Sequence, residues 1–308
     1  MAHPMAGVSV AKKEPCQPSL SKQDRAMSTS LTKAPHIVDV LIAERAPRLT
    51  ASAFWPLVRP FLYAVLDYAK AVRMADAIAI LPGAEGLAHA SSLLDLDVHA
   101  TGLERVPATG RCVVVCNHPT GIADGVAVVD ALRRVRQDAI YFANADALRV
   151  CPRFDEVLIP VEWVEAKRTR EKTRLTLMAA KAAFEAERCV VLFPAGRLAR
   201  RDKTGQLTDP PWAPTAVSLA QKYQAPVIPI HVEGPYSTLF HLFDRVSQEL
   251  RDVTLFHELL NKQGKRFDLT VGHAIAPDAL AGEAAALTEA LKTFTERTLK
   301  ADAEARFA

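Results

Sequence analysis

No run of about 18 uncharged apolar residues occurs anywhere in this 308-residue chain, and its amino terminus carries no apolar signal core. A bilayer-spanning helix needs about 20 such residues, so the sequence predicts a protein that neither crosses a membrane nor is exported; binding to a membrane surface stays open. Cysteine is scarce and scattered. Cys16, Cys112, Cys116, Cys151 and Cys189 show neither a paired framework nor metal-ligand spacing, which predicts reduced thiols, a cytoplasmic protein and no metal. Charge of either sign is not in excess, with 38 Lys+Arg against 35 Asp+Glu and a net charge of +3. So balanced a chain is not expected to bind nucleic acid. A Gly-x-Ser-x-Gly nucleophile elbow is also missing.

With 49% hydrophobic and 24% charged residues, the chain can bury a full core. Residues 1 to 34 are rich in Lys, Ser, Pro, Gln and Thr and predict a disordered tail. Residues 35 to 98 show helical spacing, first at Ile37, Val40 and Leu41, then at Phe54, Val58, Phe61, Leu62, Val65 and Leu66; Pro47, Pro56, Pro60 and Pro82-Gly83 break it into about three short elements. With Trp55, Tyr63 and Arg59, this appendage suits a membrane interface, although packing onto the rest of the protein explains the same stripe. From residue 99 onward, short strand-like runs (112 to 116, 139 to 143, 157 to 161, 189 to 193, 227 to 232, 267 to 271) alternate with helical patterns (123 to 135, 170 to 186, 215 to 223, 237 to 250, 283 to 301). That alternation predicts an α/β domain with a mostly parallel central sheet flanked by helices.

The most informative segment is Val113-Val114-Val115-Cys116-Asn117-His118-Pro119-Thr120-Gly121-Ile122-Ala123-Asp124-Gly125. An apolar strand stops at Asn-His, passes through a Pro/Gly turn and enters a helix whose first turn holds a carboxylate. Pro119 pushes His118 out of the α region and Gly121 can supply a positive φ. Asp124 can then reach back to one imidazole nitrogen, leaving the other to take a proton. Taken alone, the pair fits a helix-entry carboxylate and a satisfied loop histidine better, so the catalytic reading needs independent motifs elsewhere in the chain.

A second strand and turn, Cys189-Val190-Val191-Leu192-Phe193-Pro194-Ala195-Gly196, leads into Arg197 and Arg200, whose guanidinium forks match phosphate or carboxylate oxygens. A solvated basic loop with Arg201 and Lys203 explains them as well. A basic run from Lys167 to Arg174 follows the third strand; most of it predicts an exposed helix start, and Lys167 or Arg168 could face the same cleft. The strand Val227-Ile228-Pro229-Ile230-His231-Val232 contains a proline, which predicts an edge or irregular position, with His231 a lining or satisfied residue.

Together these blocks resemble the glycerolipid acyltransferases, the lysophosphatidic-acid acyltransferases and their relatives, over roughly residues 100 to 275. His118 and Asp124 match the hallmark His and Asp, Phe193-Pro194-Ala195-Gly196 the Phe-Pro block, and Val227-Ile228-Pro229-Ile230 the late strand. One extra residue between His118 and Asp124, and Ala195 in place of a glutamate, are similar to the bacterial hemolysin-like and ornithine-lipid acyltransferase subgroup; Asp209-Pro210-Pro211-Trp212 resembles it too. The resemblance implies acyl transfer from acyl-CoA or acyl carrier protein to a lysolipid, 1-acylglycerol-3-phosphate or a lyso-ornithine lipid, with no cofactor. It implies His118 as base, Asp124 as its orienter, and Asn117, Thr120, Gly196, Arg197, Arg200 and Arg168 as substrate-binding residues. A peripheral position on the inner face of the cell membrane follows from such an acceptor. A lipid hydrolase and a non-catalytic lipid-binding protein are the competing readings.

Overall fold

The computed structural model describes residues 34–162, 167–201, 205–235, 243 and 247–308. Backbone contacts divide the chain into Met1–Pro35 and His36–Ala308. The expected tail apart from Ala34, the helix expected at 237 to 250 apart from Phe243 and its last turn, and Lys203 lie outside the described residues.

Among the described residues five helices come first: α1 (Ile37–Arg45), α2 (Pro47–Thr50), α3 (Trp55–Val65), α4 (Tyr68–Ile78) and α5 (Gly83–Leu94), two more than the proline punctuation suggested. Then follow β1 (Asp97–Thr101), β2 (Cys112–Cys116), α6 (Ile122–Leu132), β3 (Ile140–Asn144), α7 (Asp146–Val150), β4 (Leu158–Val161), α8 (Arg170–Glu185) and β5 (Cys189–Leu192). A two-stranded ribbon of β6 (Arg200–Arg201) and β7 (Leu207–Thr208) precedes α9 (Thr215–Tyr223), β8 (Val227–Glu233), α10 (Gln248–Val253), α11 (Leu255–Leu260) and β9 (Arg266–Val271). The chain closes with α12 (Ala284–Thr293), a π-helical turn Phe294–Thr298, and α13 (Leu299–Ala301).

Seven strands form one sheet in the order β1-β9-β8-β2-β5-β3-β4, parallel throughout except between β8 and β9. β2 is its central strand, and alternation along it feeds two cores, as a doubly covered parallel strand must. Cys112, Val114 and Cys116 pack with residues of α1, α3, α4 and α6. Val113 and Val115 pack on the other face with Ala183 and Phe184 of α8, Val217 of α9 and Leu291 of α12. The amino-terminal helices therefore share a core with the sheet.

Contrary to expectation, the proline-bearing β8 is not an edge strand; it lies between β9 and β2. Its irregular side is nonetheless where the missing N–H falls. Pro229 faces Gly272, one residue past the end of β9, and its carbonyl accepts the Gly272 N–H at 2.8 Å. A Cβ on Gly272 would stand 2.9 Å from the Pro229 ring, so the glycine admits the proline. Among the described residues no helix is long and apolar enough to cross a membrane. The four cysteines among them are free and buried.

Candidate active site

The site begins where β2, buried along its whole length, runs out at Cys116. Asn117 pins that tip to β8: its Nδ2 donates to the Val232 carbonyl at 2.9 Å, and the Val232 N–H donates to its Oδ1 at 2.6 Å. His118 then leaves the sheet. Its N–H donates to both oxygens of Asp209 at 3.1 Å, and its carbonyl accepts the Ala199 N–H at 2.9 Å.

The turn into α6 passes through Gly121 at φ +100°, ψ −140°, a region open in practice to glycine alone. A Cβ there would also meet Leu198 at 3.1 Å. Three residues on, Asp124 is fully buried. Its Oδ2 accepts the N–H groups of Thr120 and Gly121 and bonds His118 Nδ1, each at 2.9 Å, while its Oδ1 accepts the Thr120 hydroxyl at 2.5 Å. One carboxylate thus serves the helix entry and the imidazole together. Because a carboxylate only accepts, Nδ1 carries the hydrogen and the Nε2 lone pair is left to accept a proton. The Phe193 ring packs against the imidazole at a centroid distance of 4.7 Å and a tilt of 42°. The His118 side chain stays 17% exposed, enough for its edge to meet a substrate.

Beside this pair, the loop after β5 returns across the sheet's carboxyl end. Gly196, at φ +61°, makes the turn and spends its N–H on the Phe193 carbonyl. Arg197 and Arg200 follow, exposed, and with Arg201, Thr208, Asp209 and Pro210 they line a cavity of about 270 Å³. Asp209 joins this cavity to the His118 backbone. The other sequence candidates are placed differently. The Asn117 amide and the Thr120 hydroxyl are engaged within the protein, as holders of the site. Arg168 donates to the Glu162 carbonyl at 3.0 Å and lines a separate groove of about 600 Å³ along α8, with Arg170, Arg174, Leu177 and Lys222.

Sequence reasoning gave Asp209 no role, yet it is the most perturbed acid here. It is 4% exposed and takes the Trp212 indole N–H at 2.9 Å. Burial pushes its pKa up to about 7, reinforced by the charge of Glu296 and opposed by the Trp212 bond and by His118. Glu296 accepts the Asp209 N–H at 2.6 Å and the Thr208 hydroxyl at 3.1 Å, and pairs with Lys292 at 2.6 Å. The motif Asp209-Pro210-Pro211-Trp212 was the one available signal. His231 is buried, with Nδ1 3.0 Å from the Thr295 carbonyl, and burial lowers its pKa. It lines the packing of β8 on the π-helical turn.

Comparison with known proteins shows the family. The chain is 29% identical over 199 residues to a lyso-glycine lipid O-acyltransferase of Phocaeicola vulgatus, covering 63% of this chain and 69% of that protein. It is 26% identical over 199 residues to a lyso-glycine lipid O-acyltransferase of Bacteroides thetaiotaomicron, covering 63% and 71%. The crystal structure of the 1-acyl-sn-glycerophosphate acyltransferase PlsC of Thermotoga maritima aligns over 87% of this chain and 99% of that one, but at 14% identity and a TM-score of 0.45 it is too loose a likeness to argue from. A family model described as acyltransferase matches residues 42–301, which contain the His118 and Asp124 pair, the arginine loop and Asp209. The chain belongs to that acyltransferase family.

Proposed function

We propose that this acyltransferase moves a fatty acyl group from a thioester, acyl-CoA or acyl carrier protein, to the hydroxyl of a lysolipid with an anionic headgroup. The observation that carries the reading is the buried Asp124 holding His118 by Nδ1, with an arginine-lined cavity whose Asp209 accepts the His118 backbone N–H. His118 Nε2 takes the acceptor's proton as its oxygen attacks the thioester carbonyl. The C–S bond then breaks, and the imidazolium returns the proton to the departing thiolate. Substrate supplies the nucleophile, so no protein serine or cysteine is required. Pro119 has no N–H, and those of Thr120 and Gly121 are spent on Asp124. The oxyanion therefore falls to the N–H groups of Ile122 and Ala123, at the positive end of α6. Arg197 and Arg200 hold the headgroup by charge-assisted hydrogen bonds.

Between the two acceptor classes implied by the sequence, the names of the relatives from Phocaeicola vulgatus and Bacteroides thetaiotaomicron favour an amino-acid lipid over 1-acylglycerol-3-phosphate. A labelled acyl thioester incubated with a panel of lysolipids tests this. The diacylated product of an amino-acid lysolipid is expected, and His118→Ala should lower its rate by roughly 10²–10⁴. Free fatty acid as the product would instead make the protein a hydrolase.

The lipid acceptor makes peripheral membrane binding part of the same proposal. Phe54 (72% exposed), Leu57 (79%), Phe61 (69%) and Val65 recur at three- and four-residue spacing and form one outward stripe on and just before α3. Arg59, on the same helix, lies over the Tyr63 ring at 5.7 Å. Such an apolar stripe with an aromatic and cationic border suits the headgroup region of a bilayer.

A further inference from the structure

We propose that Asp209 sets the headgroup preference of the arginine cavity, admitting a singly charged carboxylate and turning away a doubly charged phosphomonoester. The inference rests on the reading of that cavity as the acceptor's anion site. Arg197, Arg200 and Arg201 would by themselves favour the more highly charged ligand. Asp209 shares their cavity, and among its described lining residues it is the one carboxylate. Its position is fixed from three sides: by the His118 N–H, by the Trp212 indole, and through its own N–H by Glu296. It cannot swing away from a bound anion without releasing the backbone of His118.

The charged groups that face Asp209 or share its cavity come from three elements. Glu296, paired with Lys292, lies on the carboxyl-terminal helical segment. His118, with Asp124 behind its ring, lies on the turn after β2. The three arginines lie on the loop after β5 and the ribbon that continues it. Coulomb energy scales with the product of the charges, so whatever factor an ionised Asp209 costs a monoanion, it costs a dianion the square. A penalty of roughly threefold for a carboxylate becomes roughly tenfold for a phosphomonoester. With its pKa pushed up to about 7, Asp209 is mostly ionised at pH 8 and mostly protonated at pH 6, so the discrimination belongs to the alkaline side.

Calorimetric titration of the full chain with N-acetylglycine and with glycerol 3-phosphate at pH 8 and pH 6 tests this. Asp209→Asn is expected to tighten glycerol 3-phosphate about tenfold and N-acetylglycine about threefold at pH 8, with little change for either at pH 6. Glu296→Gln removes a charge that raises the Asp209 pKa, and should move the onset of discrimination in an otherwise intact site to lower pH. Equal changes for both probes in Asp209→Asn at pH 8 would overturn the inference. Failure of either probe to bind wild-type protein at either pH removes the anion site and this inference with it. Probe binding as described, in a protein that transfers no acyl group to any lysolipid, would count against the proposed reaction and leave the role of Asp209 standing.

Discussion

At the scale of single residues, Asp124 does two jobs with one carboxylate, and its replacements should separate them. Asp124→Ala strips the helix entry of its acceptor and leaves buried N–H groups unpaired, so an unfolding free energy lower by about 2–3 kcal/mol is expected together with loss of activity. Thermal or urea unfolding measures the first effect and the transfer assay the second. A stable but inactive variant would show that the cap is dispensable. Asp209 makes a pH-dependent contribution of the opposite sign to a salt-bridged acid. Its folded pKa, about 7, lies above the ordinary carboxylate value near 4, so the folded state binds the extra proton. The associated stability is present below pH 4 and is lost as pH rises through 7. Between pH 5 and 8 the wild-type Tm should therefore fall more steeply than that of Asp209→Asn, and parallel curves would contradict this account. His118 and Asp124 were legible because strand, turn and helix entry lie within one short segment. Asp209 was not, because 91 residues separate it from the His118 backbone it holds, and only folding brings the two together.

At the scale of elements, α3 has two faces with different duties. Leu62, 6% exposed, belongs to the core, and Leu62→Ala should cost about 2–5 kcal/mol in an unfolding titration. Phe61, its neighbour, points outward, so Phe61→Ser should change stability by less than about 0.5 kcal/mol. In combination with Leu57→Ser it should release the protein from anionic vesicles in a flotation assay; undiminished flotation would remove α3 as the membrane contact. Helical spacing made this stripe visible in the sequence but not which side of it meets the sheet. β8 shows a complementary limit. Proline in a strand predicted an edge or an irregular position; the missing donor is absorbed where β9 has already ended and Gly272 leaves room, a local pairing that composition cannot reveal. β1 escaped notice for a different reason. Asp97-Val98-His99-Ala100-Thr101 is an edge strand with exposed alternate residues, and it has no β-branched run to announce it.

For the whole molecule, alternation of short apolar runs with amphipathic helices was sufficient to indicate a mostly parallel α/β sheet. Strand order was not available, since it depends on contacts between segments as distant as β1 and β9. The order explains the site. With β2 at the centre, flanked by β8 and β5, the tips of three strands converge: Asn117 ties β2 to β8, and the loop after β5 brings Phe193 and the Ala199 N–H to His118. That convergence outside the carboxyl ends of parallel strands is where such sheets place their ligands. The helices that carry the exposed stripe share a core with this sheet, so the stripe and the strand that leads to His118 belong to one packed body. The most direct measurement is the rate of acyl transfer from a labelled thioester to an amino-acid lysolipid by wild-type protein and His118→Ala, compared at equal folded concentration. A drop of roughly 10²–10⁴ in the variant is the predicted result; transfer at the wild-type rate would contradict the central claim that this imidazole is the base.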